Sequence, residues 1–321
     1  MRTQTLSPIL FWTLLSGLAG HSCAAFASHA PDDPDIECVS LLGVALKAPE
    51  LGATRREQLE ANLRTAAEHH EQAPRDEEAT IWHGRRLAYL GRYRQAQEIY
   101  SDGLREHPQS FRLLRHRGHR YITLRRFDLA VRDLQRAAEL ARHVPDYYEA
   151  DGAPNAHGIP RSTIQSNIHY HLGLAEYLLG HFKSARAAWQ DCLFFARVND
   201  DMLVATLYWR VLVAWKLGLE EEAQQLLGEV QNKMQILEND QYYRLLLFFK
   251  SGQGETQLQS ELTSRDLKSS TLANGLGAWH AHHGALIQAR RAYRLAIETD
   301  VWAAFGFIAA EAELAPKGLF K

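Results

Sequence analysis

Five times along the chain a turn residue is followed, five places on, by an alanine: GRYRQA (91–96), RRFDLA (125–130), GHFKSA (180–185), GLEEEA (218–223) and GALIQA (284–289). The surroundings keep register with these copies. Gly84, Gly118, Gly173, Val211 and Gly277 stand seven residues before each turn, and Tyr100, Leu134, Trp189, Leu227 and Tyr293 four after each alanine. No segment alternates at strand period, so the pattern is that of helices. Small residues let two helices cross closely, and aromatics at helical spacing fill the gap between units. The expected fold is all-α, a helix-turn-helix repeat solenoid in which each unit packs on its neighbours.

The spacings divide the chain. Ala96 to Ala130 is 34 residues, as is Pro74 to Pro108, which extends the period back into RREQLEANLRTAAEHHEQAP (55–74). Residues 55–142 therefore read as a leading helix and two regular repeats, preceded by an N-terminal segment, 28–54. Ala130 to Ala185 is 55 residues, one period plus 21, which places an insertion at 143–163 with Pro145, Gly152, Pro154, Gly158 and Pro160 as breakers. Degenerate repeats follow over 164–300, including QYYRLLLFFK (241–250) and ETQLQSELTSRD (255–266). The apolar VWAAFGFIAAEAEL (301–314) is a terminal cap, within a final stretch 301–321.

Repeat one carries Gly84, Leu87, Gly91, Tyr93, Ala96, Tyr100, Leu104 and Pro108. Repeat two carries Gly118, Tyr121, Phe127, Ala130, Ala137 and Ala138, with Arg125 in place of the turn glycine. On these residues the chain resembles the tetratricopeptide repeat family, and its array and ending look like those of exported bacterial members with no assigned activity. The resemblance implies a superhelix whose first helices line a concave groove, here bearing Arg85, Tyr89, Arg112, Arg115 and His119. It also implies a protein or peptide partner and no cofactor.

At the N-terminus, Arg2, the apolar run Ile9 to Ala19 and Ala25-Phe26-Ala27 form the three parts of a signal peptide, 1–27. Gly20-His21-Ser22 lacks the branched apolar residue of a lipoprotein site, so Cys23 is expected to leave with the leader. The mature chain is then expected in a periplasm or outside the cell, without a membrane span. Of its two cysteines, Cys38 and Cys192, the second stands where other copies place Gly103, Ala137 and Ala296, a slot for a small packing residue.

Charge is segregated. Residues 82–126 hold eleven arginines against three acids, whereas the whole chain carries −2. Such a field steers an acidic partner toward the first repeats, and the planar fork of arginine suits carboxylate or phosphate. The plainer reading pairs several of these arginines with nearby acids on solvated helix faces. Nucleic acid is disfavoured because the chain has no overall basic excess and no reading motif.

Sixteen histidines invite a metal reading, but no carboxylate or cysteine stands at a matching spacing beside His280, His282 and His283, and His169 and His171 fall on different sides of their helix. An enzymatic or small-molecule pocket would need the insertion to cover the groove, bringing Tyr147, Tyr148, Asp151 and Asn155 to His169, His171, Asp200 and Asp201. No nucleophile elbow, phosphate loop or zinc-protease motif accompanies them. A non-catalytic scaffold is the preferred expectation, the covered pocket the alternative, and a structural subunit of an envelope complex a third.

Overall fold

The computed structural model describes residues 33–152 and 154–316; the leader, and with it the cleavage and anchoring expectations, lies outside them. Fourteen α-helices follow a short hairpin. α1 (Ala53–Gln72) leads into six antiparallel pairs: α2 (Glu77–Tyr89) with α3 (Tyr93–Glu106), α4 (Phe111–Thr123) with α5 (Phe127–Ala141), and α6 (Ile164–Leu178) with α7 (Phe182–Ala196). Then come α8 (Asp200–Leu217) with α9 (Glu220–Gly228), α10 (Asp240–Ser251) with α11 (Glu255–Ser260), and α12 (Leu267–His282) with α13 (Leu286–Ile297). α14 (Phe305–Leu314) ends the array. From α1 to α10 and from α11 to α14 each helix packs on the next, and first helices also touch one another, α2 on α4, α4 on α6 and α6 on α8, so they form the inner wall.

The repeated small residues act as their spacing demands. Ala96, Ala130, Ala185 and Ala223 are completely buried. A Cβ at Gly118 would fall 2.7 Å from Leu134 Cγ, and one at Gly173 2.6 Å from the Trp189 ring, closer than packed carbons come. Helix starts are capped by side-chain oxygens that take up backbone N–H groups otherwise left unpaired: Asp76 accepts from Ala79, Ser110 from Leu113 and Asn199 from Met202, each at 3.0 Å.

One expectation needs correction. Residues 28–54 show no strand period, yet Ile36–Val39 (β1) and Ala45–Lys47 (β2) pair as an antiparallel hairpin. Its register slips between Ile36 and Cys38, which blurs the alternation that would have announced it. Its inward residues Cys38 and Leu46 join the core of the first repeats. Cys38 and Cys192 are both buried and unbridged, and burial raises their thiols to about 11 and about 12, so both stay protonated and inert.

The second departure is Arg125. At the turns of the other regular copies Gly91, Gly180, Gly218 and Gly284 take positive φ, and Arg125 adopts the same left-handed backbone at φ 60°. Its side chain crosses to the end of the chain. Nε donates to Glu311 Oε2 at 2.9 Å, Nη2 to the Trp302 carbonyl at 2.8 Å and Nη1 to the Thr123 carbonyl at 2.6 Å. The Leu41 amide donates to the other Glu311 oxygen at 2.7 Å, and the Trp302 indole to the Lys47 carbonyl at 2.7 Å. α14 therefore caps α12 and α13 and also clasps the hairpin and the second repeat.

Candidate functional site

The inner wall of α4 presents Arg112, Arg115, His116, His119 and Arg120 at i, i+3, i+4, i+7 and i+8, one stripe of a helix. α2 adds Arg85 and Tyr89, and α6 adds Asn167 and His171. Arg112 is taken by the first turn of α2, through Glu77 at 2.9 Å and a second contact to Glu78. Elsewhere in the basic window Arg117 forks onto Asp133 and Arg92 meets Glu60, so much of its excess charge is locally paired.

Arg115 has a more specific partner. Its Nη2 donates at 2.7 Å to Glu149, from the 143–163 insertion, and Asn167 Nδ2 donates to the same oxygen. Both ends of this ion pair are nearly buried, at 11% and 12% exposure, which shields it from solvent screening. His116 Nε2 stands 3.7 Å from the other Glu149 oxygen, while its Nδ1 accepts from Arg115 at 2.9 Å. Burial, reinforced by the Arg115 guanidinium, holds His116 well below the usual imidazole range, so it is neutral.

The insertion continues along the wall. Arg85 donates to the Ala150 carbonyl at 2.7 Å and to Tyr89 Oη at 3.1 Å, with its guanidinium over the Trp82 ring at 4.4 Å. Arg86 donates to the Gly152 carbonyl at 3.2 Å. Between insertion and wall lies a polar cavity of about 300 Å³ lined by Arg85, Arg115, Asp151, Asn155, Arg161 and Glu238, among others. Asn155 donates to Glu238, another lining residue, and to the Ile159 carbonyl.

The remaining sequence candidates separate into groups. Tyr147 and Tyr148 are 40% and 48% exposed; the groove contacts at the start of the insertion come instead from Glu149, Ala150 and Gly152. His119 lies against His171 with ring centroids 4.3 Å apart and the planes tilted by 38°, and Phe305 of α14 packs on both. His171 Nδ1 donates to the Asn167 carbonyl at 2.6 Å, and burial together with Arg115 lowers its pKa to about 3. His169 lies apart from this group, stacked on Phe195 and 3.9 Å from Asp191.

Asp200 accepts from the Gln235 amide at 2.7 Å. Asp201, fully buried, accepts from the amides of Leu237, Glu238 and Asn239 and from Arg161 Nε at 2.9 Å. It is thus saturated by donors that pin the 229–239 connector and the insertion to α8. Among the described residues no three His, Cys, Asp or Glu side chains are grouped to hold a metal ion, and no helix is long and apolar enough to cross a membrane.

The fold is a helix-turn-helix repeat solenoid, with an insertion laid on the inner wall of its first repeats. No family model and no curated protein matches the chain. Among solved structures it is similar to a tetratricopeptide repeat protein from Parabacteroides merdae, at 13% identity over 81% of this chain and 94% of that one, TM-score 0.47. It is also similar to YrrB, a TPR protein with an unusual peptide-binding site, at 13% identity over 74% and 92%, TM-score 0.42. PilF of Pseudomonas aeruginosa aligns at 15% identity over 76% and 97%, TM-score 0.41.

Proposed function

We propose that the chain is an exported, non-catalytic repeat scaffold that binds a peptide or protein segment along the inner wall of α2, α4 and α6, where arginines favour acidic groups. The observation that carries this reading is the carboxylate of Glu149 held between Arg115 of one repeat and Asn167 of the next. A carboxylate clamped across a repeat junction is the contact an acidic partner would use, because charge-assisted bonds in a nearly buried site outweigh their exposed equivalents. Arg85, which has no carboxylate partner among the described residues, extends the same wall.

The test is fluorescence anisotropy with a panel of extended acidic peptides and their Gln/Asn counterparts, at two salt concentrations. Acidic peptides should bind more tightly, lose affinity with salt, and lose at least tenfold on Arg85→Glu. Equal binding of acidic and neutral peptides would remove the reading.

A second reading, a pocket for a small polar molecule or substrate under the insertion, is favoured by the cavity of about 300 Å³, at the lower end of the range for ligand sites. Thermal-shift screening of polar metabolites separates the two, since a pocket ligand stabilises the chain with no peptide present.

A further inference from the structure

We infer that residues 147–152 occupy the partner's place as an internal stand-in, and that the partner is an extended segment with a carboxylate side chain followed three residues later by glycine. This rests on the inner wall being the partner-binding face.

The segment lies as a bound peptide would. Its base is extended: Tyr148 and Thr163 form an antiparallel bridge, the Ile164 amide donates to the Tyr147 carbonyl at 2.9 Å, and the Glu149 amide to the Ser162 carbonyl at 3.2 Å. Beyond that base it meets the wall through one carboxylate and two carbonyls, those of Glu149, Ala150 and Gly152, received by Arg115, Arg85 and Arg86. Backbone carbonyls belong to every sequence, so what this wall can select is the position of the carboxylate and the size of the residue at Gly152. A Cβ at Gly152 would fall 2.9 Å from the Trp82 ring and against the Tyr89 hydroxyl, so glycine is the residue that fits without displacing those rings.

Exchange is chemically even. An incoming segment of the same kind restores each of these hydrogen bonds, and the half-exposed Tyr147 and Tyr148 give up little apolar burial on release. The displaced strand stays tethered, because Gln165 at the start of α6 holds the Ala141 and Val144 carbonyls at 2.7 and 3.2 Å. A tethered competitor acts at high effective concentration, and the apparent affinity for an external segment is reduced by the fraction of molecules whose wall is bare.

The probe is a fluorescein-labelled peptide of residues 146–152, DYYEADG, titrated into the full chain, into a variant with 146–158 replaced by Gly/Ser, and into Gly152→Val. The valine variant keeps the length of the insertion and forces the strand off the wall at Gly152. Circular dichroism checks that each remains helical. Both variants should bind the probe at least tenfold more tightly than the parent chain, and Arg115→Met in either background, or glutamine at the glutamate of the probe, should abolish the gain. Equal affinity for parent and variants would overturn the internal stand-in while leaving the partner face standing. Absence of binding to all three, with helices intact, would overturn both.

Discussion

Replacing Arg125 with glycine restores the residue that the other repeat turns carry, and by local rules it should stabilise the chain. A non-glycine residue in the left-handed region costs about 1–2 kcal/mol, and Arg125 sits there at φ 60°. The clasp reverses the expectation. Glu311 is fully buried, and Arg125 Nε, at 2.9 Å, is its only cationic partner among the described residues. Removing one member of a buried pair costs about 3–5 kcal/mol because the other charge is left stranded. The net effect of Arg125→Gly should therefore be a loss of about 1–4 kcal/mol, the difference between stranded charge and relieved strain.

The readout should be local, since α14 is the element released. Hydrogen exchange of the 305–314 amides should accelerate by about 5- to 900-fold, each factor of ten corresponding to about 1.36 kcal/mol. Arg125→Met, which keeps the strained backbone and loses the charge, should be worse than the glycine variant. Arg125→Gly combined with Glu311→Leu should regain most of the loss. A single glycine variant as stable as the parent, with α14 protection unchanged, would refute the reasoning.

Ala130→Arg should destabilise by more than about 4 kcal/mol, seen as loss of cooperative urea unfolding, because a fully buried helix crossing has neither room nor partner for the side chain. His171 is neutral in the fold, with a pKa lowered to about 3, whereas the unfolded chain takes up its proton near 6.5. Below that pH the unfolded state binds more protons, so His171 should lower stability from pH 6.5 toward 3 by up to about 1.4 kcal/mol per unit, and His171→Phe should lessen the fall in melting temperature over that window, the buried neutral His116 and His119 supplying the rest. N-terminal sequencing of exported material should begin at Ser28, a lipid-modified Cys23 being the contrary result.

What could be read from the sequence was whatever depends on local register. Gly118 against Leu134 and Gly173 against Trp189 follow from spacing, because helices joined by a short turn have few ways to meet. The insertion was visible as broken periodicity, and Asp151 and Asn155, which line the cavity, were among its candidates, but its contacts to the wall were not. Tyr147 and Tyr148 draw the eye as aromatics, yet Glu149, Ala150 and Gly152 make the contacts, two of them through backbone atoms that carry no mark in a sequence. Asp200 and Asp201 read as chemistry, and they instead anchor a connector through its amides, an arrangement set by the path of a loop 35 or more residues away. Arg125 at a glycine position was legible as an oddity, whereas Glu311 passed as one residue of an apolar cap. Joining them needs the curvature of the four intervening helix pairs.

That clasp changes what kind of object a repeat array is. Open solenoids can gain or lose a unit and remain foldable, since each unit answers only to its neighbours. Here a contact spanning 186 residues fixes how far the chain must turn before α14 returns to the second repeat. One unit more or fewer would carry Glu311 past Arg125 and strand both charges. The number of repeats is thus selected as strictly as a core residue, and the array should fold late and as a whole, waiting on loop closure that a linear solenoid never has to make.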